Sequence, residues 1–402
     1  MVPIANAYEL FEKIQSADIS VHSQRCVVVR NRRATCSRCA QACTSGAISI
    51  EDNSLVITPE NCIGCGTCAT VCPTCALEAH MPNDAQLQEA AVNAMRAAGG
   101  VSVIACRQIV DAAGKQLDGE KVVAVECLGR VEESLLSALA VEGCTKVVLV
   151  TGDCASCDHA VGLETARAVC DTCNELMRVW SCPMRVEISE RFPSSVKADA
   201  SKACDESRRN FFFRAKDEVR LAAHLAAEQA LGSSGPDGAL PAGTSAEAPA
   251  VPVMKVMDDG TLPHFIPDRR ERLLDNLAAL GEPSDELIET RLWGHVVIDP
   301  DVCDSCRMCA TFCPTGAIAK FDDEDGTIGV NHYPGDCVLC HCCEDICPTG
   351  ALHLYEEVFA GDLLSGTVER NEMHPPKYDM ASPKKSMHMF RDLLNCPDIF
   401  ER

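Results

Sequence analysis

The chain has 402 residues, 47% of them hydrophobic, which is enough for two or three domains with packed cores, yet only 4% are aromatic while 28 are cysteines. Without a charged and then apolar leader, so much cysteine predicts bound metal in a reducing, cytoplasmic compartment rather than a disulfide framework. A formal net charge of −23 argues against a nucleic-acid partner, because phosphate recognition needs a basic footprint, and no apolar run approaches the length of a membrane span.

A helical face of Leu10, Phe11 and Ile14 opens the chain and leads into a cysteine-rich segment, 25–76, of short strands and turns. It begins with RCVVVRNRRATCSRCAQACTSGAI, where Cys36, Cys39 and Cys43 stand at two- and three-residue intervals but nine residues separate Cys26 from Cys36. Arg30, Arg32 and Arg33 lie in that interval, either as a basic loop facing a negative centre or as a solvated hairpin tip. Residues 84–98 have the spacing of an amphipathic helix. The short β-branched runs VSVIAC, KVVAVEC, KVVLVTGDC and MRVEIS then alternate with helical stretches, which predicts a small, mostly parallel α/β domain over about 100–190.

A helix is expected near 205–230. Of the 22 residues in 231–252, sixteen are Gly, Pro, Ala or Ser, the composition of a linker. A helix at 267–280, stopped by Gly281 and Pro283, introduces a second cysteine-rich segment. Beyond 355 the sequence lacks clear periodicity and has Met373, Met387, Met389 and Phe390 in polar surroundings, a composition suited to a tail that orders against a partner or against its own neighbour.

The chain repeats itself. CIGCGTCATVCPTCAL (62–77), CDSCRMCATFCPTGAI (303–318) and CVLCHCCEDICPTGAL (337–352) are three intact copies of C-x2-C-x2-C-x3-C-P, and the opening stretch aligns as a fourth with a hairpin inserted between its first two cysteines. Two-residue gaps bring three thiolates round a tight loop onto one cube of iron and sulfide, while the fourth lies too far on to close the same cube. Each pair of copies resembles a bacterial-type two-cluster ferredoxin.

That resemblance implies four crossed [4Fe–4S] sets: Cys26, Cys36, Cys39 and Cys72; Cys62, Cys65, Cys68 and Cys43; Cys303, Cys306, Cys309 and Cys347; and Cys337, Cys340, Cys343 and Cys313. Cys342 is a spare. In the stretched copy, Cys75 is an alternative ligand, and a three-iron cluster an alternative outcome. Zinc, which also accepts four thiolates, is the competing metal.

In the middle domain Cys106 and Cys127 close strands, and Cys154 and Cys157 follow a third, so a parallel sheet would gather all four at its carboxyl edge, where α/β folds bind ligands. The segment ECLGRVEESLLSALAVEGCTKVVLVTGDCASC resembles the small iron–sulfur (delta) subunit of methyl-viologen-reducing hydrogenase over about 101–190, through Cys127-Leu-Gly-Arg130 and Gly152-Asp-Cys154. The resemblance implies electron relay and admits a further centre, [2Fe–2S] or [4Fe–4S], although the Cys154-x2-Cys157 interval is tighter than that family's. Cys170, Cys173 and Cys182 are either ligands to such a centre or small buried hydrophobes. Cys75, Cys144, Cys204 and Cys396 are expected to be structural, and His159 and His341 to be packing or surface residues.

The expected fold class is a multidomain combination of α+β and α/β: a dicluster ferredoxin module (1–80), a hydrogenase-delta-like α/β domain (81–200), a helix and linker (201–256), a second dicluster module (257–355) and a tail (356–402). No dinucleotide fingerprint, P-loop or nucleophilic triad occurs, so no catalytic residue is assigned. The expected function is an electron relay between redox subunits such as a dehydrogenase, hydrogenase or reductase. The alternative is a self-contained reductase with its substrate site in the middle domain.

Overall fold

The computed structural model describes residues 18–198 and 254–374. The opening helix, the helix near 205–230, the 231–252 linker, Cys204, Cys396 and the chain beyond His374 lie outside those residues.

Two similar small units are built around the cysteine runs. In the first, β1 (Ile19–Val21) pairs antiparallel with β4 (Leu77–Ala79), Ile19 opposite Ala79, and closes the ends of the unit together. Between them come the one-turn helices α1 (Val27–Arg30) and α2 (Arg38–Gln41), the hairpin β2 (Ile48–Glu51) and β3 (Ser54–Ile57), and α3 (Thr67–Val71). Asp52 and Asn53 form the hairpin's two-residue loop, both at positive φ (46° and 62°). Short polar side chains tolerate that conformation, and the resulting twist matches the strands.

The middle domain follows, with α4 (Asp84–Ala97), β5 (Val101–Cys106), α5 (Arg107–Ala113), β6 (Val123–Val125), α6 (Glu133–Val141), β7 (Lys146–Val150), α7 (Val161–Val179) and β8 (Arg185–Ser189). Its four strands are all parallel, in the order β6-β5-β7-β8, as the alternation of strand and helix predicts. Both faces are covered. Ile104, Val147 and Leu149 face the core shared with α4, α6 and α7, whereas Val103, Ala105, Val148 and Val150 face a second layer with Leu117 and Val196. Strands buried on both sides read as nearly continuous apolar runs, which is why VSVIAC and KVVLV do not alternate; Ser102, the one polar residue inside them, is itself fully buried.

The C-terminal half begins with α8 (Asp268–Leu280) and β9 (Leu287–Glu289), then repeats the first unit's plan: β10 (His295–Ile298), α9 (Met308–Phe312), β11 (Ile318–Asp322), β12 (Ile328–His332), α10 (Cys342–Asp345) and β13 (Leu352–Tyr355), with β10 and β13 paired. The chain does not leave the fold at 355. β14 (Glu357–Phe359) pairs with β9, α11 (Asp362–Ser365) follows, and β15 (Glu369–Met373) adds a third strand beside β12. The expected tail boundary therefore falls inside a folded unit. The strand ERNEM is polar except for its last residue, the buried Met373, so no periodicity marked it.

The parts share cores. Leu273 and Leu277 of α8, with Ile288, Trp293 and Val358, belong to the same apolar cluster as the middle domain. Arg291 donates two hydrogen bonds to the buried Glu133 at 2.7 and 2.6 Å, and Asn276 reaches Ser134 and Ser137. The two cysteine-rich units also meet directly: Ile19, Val27, Val29 and Leu77 from one pack with Met308, Phe312, Cys342 and Ile346 from the other. Among the described residues, no helix is long and apolar enough to cross a membrane.

Candidate metal centres

In each intact cysteine run the loop is turned by two residues in the left-handed region, at the same places relative to the first cysteine. These are Gly64 and Gly66 after Cys62, Ser305 and Arg307 after Cys303, and Leu339 and His341 after Cys337, with φ between 49° and 72°. Leu339 and Arg307 gain nothing from such a conformation on their own account. It curls the loop so that the N–H two residues on faces back to the thiol: Gly64 toward Cys62, Ser305 toward Cys303 and Leu339 toward Cys337. The Ser305 N–H lies 3.4 Å from Cys303 Sγ, and Ala76 N–H 3.2 Å from Cys72 Sγ. Amide groups aimed at sulfur are the support a thiolate-bound cluster needs.

The cysteines of each unit lie close together. Cys26, Cys36 and Cys39 each feel Cys72, while Cys68 feels Cys65, Cys39, Cys62 and Cys43. In the second unit Cys309 neighbours Cys306, Cys303 and Cys347, and Cys343 neighbours Cys340, Cys337 and Cys313. Burial pushes the thiols of Cys26 and Cys39 up to about 11 and about 12, and raises Cys68, Cys340 and Cys343 as well. A metal replaces those protons outright. Among the described residues no three Cys, His, Asp or Glu side chains crowd as closely as one ion requires.

The stretched copy lacks the left-handed pair. Its interval is not a hairpin: Val27, Val28 and Val29 are buried on α1, and Cys26 stands at that helix's N-terminus, where the free N–H groups of Val28 and Val29 face its sulfur. A helical turn replaces the curled loop. Arg30 is 3% exposed and therefore not a solvated tip, while Arg32 and Arg33 are exposed. Thr35 and Arg38 hydrogen-bond to Asp345 and to the carbonyl of Leu339, so the insertion is part of the contact between units.

Arg269, His332 and Glu369 were invisible to spacing. Cys75 adopts φ 47° at the place where the other copies have Gly46, Gly316 and Gly350, and Arg269 donates to its sulfur at 3.2 Å. His332, fully buried, faces Cys337 and is bonded at 2.6 Å through Nδ1 to Glu369, which also contacts His295 at 2.8 Å. Burial opposes a charge on His332, yet Cys337 and Glu369 outweigh it and raise its pKa to about 9. Burial likewise works to raise Cys337, but His332, then the Leu339 N–H and Arg270, hold it below the ordinary thiol value. Glu369 comes from β15, the strand that sequence periodicity missed.

In the middle domain the carboxyl edge of the sheet forms a cavity of about 340 Å³, and Cys106, Cys127, Cys154 and Cys157 all line it. Cys106 ends β5, but Cys127 lies two residues beyond β6, which is shorter than the run KVVAVEC suggested. Gly129 N–H approaches Cys127 Sγ and His159 N–H approaches Cys157 Sγ, each at 3.4 Å, and Thr151 Oγ1 lies 3.0 Å from Cys154 Sγ. Burial raises the Cys127 thiol to about 11, and Cys65 of the first unit is among the charges it feels. A Cβ on Gly129 would strike Thr67 of α3, so the glycine lets the first unit approach this edge. Cys170 and Cys173 lie in the hydrophobic core instead, Cys170 with its thiol 3.2 Å from the Val186 carbonyl, and neither lines the cavity. Cys144 similarly contacts the Lys146 carbonyl.

The 4Fe-4S dicluster domain family matches the chain twice, over residues 32–76 and 296–351. The first match starts after Cys26, so that position rests on the geometry above. No curated protein and no solved structure matches the chain. The molecule thus has a 4Fe-4S dicluster region near each end, separated by a parallel α/β sheet. In class it is an iron–sulfur electron-transfer protein.

Proposed function

We propose that the chain is a relay subunit of a cytoplasmic oxidoreductase complex, holding four [4Fe–4S] clusters on the sixteen crossed cysteines and a fifth centre on Cys106, Cys127, Cys154 and Cys157. Bound clusters supply one-electron chemistry, and the protein tunes it by hydrogen bonds, burial and charge. The observation that carries this reading is continuity. Cys342 and Cys26 neighbour each other where the two dicluster units meet, and Cys65 neighbours Cys127 where the first unit meets the middle cavity. The order supported is the 303/347 set, the 313/343 set, the 26/72 set, the 43/68 set and then the middle domain. Electrons then need not cross the 231–252 linker.

Similarity of the middle domain to the hydrogenase delta subunit belongs to the same proposal and is supported by the all-parallel sheet and by the thiols at its edge. The cavity itself favours a second reading, a reductase that binds substrate at an incompletely ligated middle-domain metal. Anaerobic reduction of the purified chain by an artificial one-electron donor separates the two. A relay becomes fully reduced and stops, whereas sustained multi-electron turnover by the chain alone would reject the relay.

A further inference from the structure

Arg30 has an arrangement that packing does not explain. Its guanidinium is buried at the meeting of the two dicluster units, and its four hydrogen bonds all go to backbone carbonyls: Gln24 and Pro263 at 3.0 Å, Phe312 and Cys313 at 3.3 Å. Among the described residues no carboxylate forms an ion pair with it. The sulfurs around it are those of Cys342, a thiol that burial keeps neutral, and of Cys313 and Cys340, which a bound cluster would hold as thiolates. A buried cation costs several kcal/mol of lost hydration unless an opposite charge compensates. Carbonyl dipoles at the end of α9 supply part of that compensation.

We propose that Arg30 is the counter-charge of the junction, making the cluster held by Cys313, Cys337, Cys340 and Cys343 easier to reduce than its thiolates alone would allow. The inference rests on the cluster reading above. Reduction adds one negative charge to a cluster, and net charge, hydrogen bonding and exposure set its potential. A fixed cation in a dry junction favours the reduced form, so electrons arriving from either side find this station poised by a residue of the neighbouring unit. The insertion that stretches the first cysteine run therefore has a role: it delivers Arg30 to the other unit's cluster.

The test is a redox titration followed by EPR on full-length wild type, Arg30→Gln and Arg30→Lys, with the relevant signal assigned by its loss in Cys340→Ala. Glutamine can keep carbonyl contacts but has no charge; lysine keeps the charge and loses the fork. Arg30→Gln is expected to move that one midpoint to more negative potential, on the order of a tenfold change in the reduced-to-oxidised ratio, or about 59 mV for one electron. Arg30→Lys should stay near wild type, and the 303/347 signal should not move in either variant. An unchanged midpoint in Arg30→Gln, or an equal shift in Arg30→Lys, overturns the proposal. If Arg30→Gln loses iron, Arg30→Lys decides alone, since a charge role requires it to keep both iron and midpoint. Wild-type protein without the Cys340-dependent signal would sink the cluster reading itself, and this inference with it.

Discussion

Arg269 donates from Nε to the thiol of Cys75 at 3.2 Å across 194 residues of sequence, and its other end reaches the carbonyls of Ala69 and Cys72. Cys75 stands at a backbone position that the other three copies give to glycine, with Cys72 nearby. Cys75→Gly should keep every cluster. Relief of the left-handed strain, about 1 kcal/mol, offsets the lost contact to Arg269, so the thermal midpoint should barely move. Loss of an EPR signal in this variant would make Cys75 a ligand after all.

Cys26 and Cys342 should behave oppositely. Cys26→Ala removes a thiol that two amide groups face, and is expected to lower iron content and alter one cluster signal, by full loss or by conversion to a three-iron species. Cys342→Ala should leave the iron intact, at a cost of about 1–2 kcal/mol for a small cavity in the inter-unit core. Full iron and unchanged spectra in Cys26→Ala would remove Cys26 from the ligand set.

Glu133 is almost fully buried beneath Arg291 and ties α6 of the middle domain to the C-terminal half. Glu133→Gln leaves the guanidinium with one weak acceptor. The variant should lose about 2–4 kcal/mol of stability, read as an earlier thermal loss of visible absorbance. A cost below about 1 kcal/mol would mean that the shared apolar core alone holds this junction.

Within the middle domain, place decides role. Cys154→Ala should remove iron from that centre and leave about sixteen irons from the four cubanes. Cys170→Ala should keep the full complement and lose about 1–2 kcal/mol of packing. The reverse pattern would move the centre from the strand edge to the α7 core.

Much of this was legible because metal spacing and strand periodicity are local signals. The three intact runs, the parallel domain, the helix Asp268–Leu280 and the convergence of Cys106, Cys127, Cys154 and Cys157 all follow from short-range patterns. What stayed hidden depends on contacts between distant segments. Val27–Val29 look like a strand fragment by composition, and the core they enter as a helix joins Leu55 and Leu77 of their own unit to Phe312 and Ile346 of the second. Arg30 looked like any basic loop residue until its carbonyl partners came from residues 263 and 312–313. Glu369 lies in a polar edge strand whose pairing with β12 no alternation announces, so its hold on His332 was unreadable as well.

Iron and acid-labile sulfide per chain in anaerobically purified protein, with EPR of the reduced sample, decide whether the four cubanes are there. About sixteen irons and as many sulfides are expected from them, rising to about eighteen to twenty with the middle-domain centre, with signals from more than one reduced [4Fe–4S] cluster. Zinc as the dominant metal, or about eight irons with only one dicluster unit filled, would contradict the four-cubane assignment.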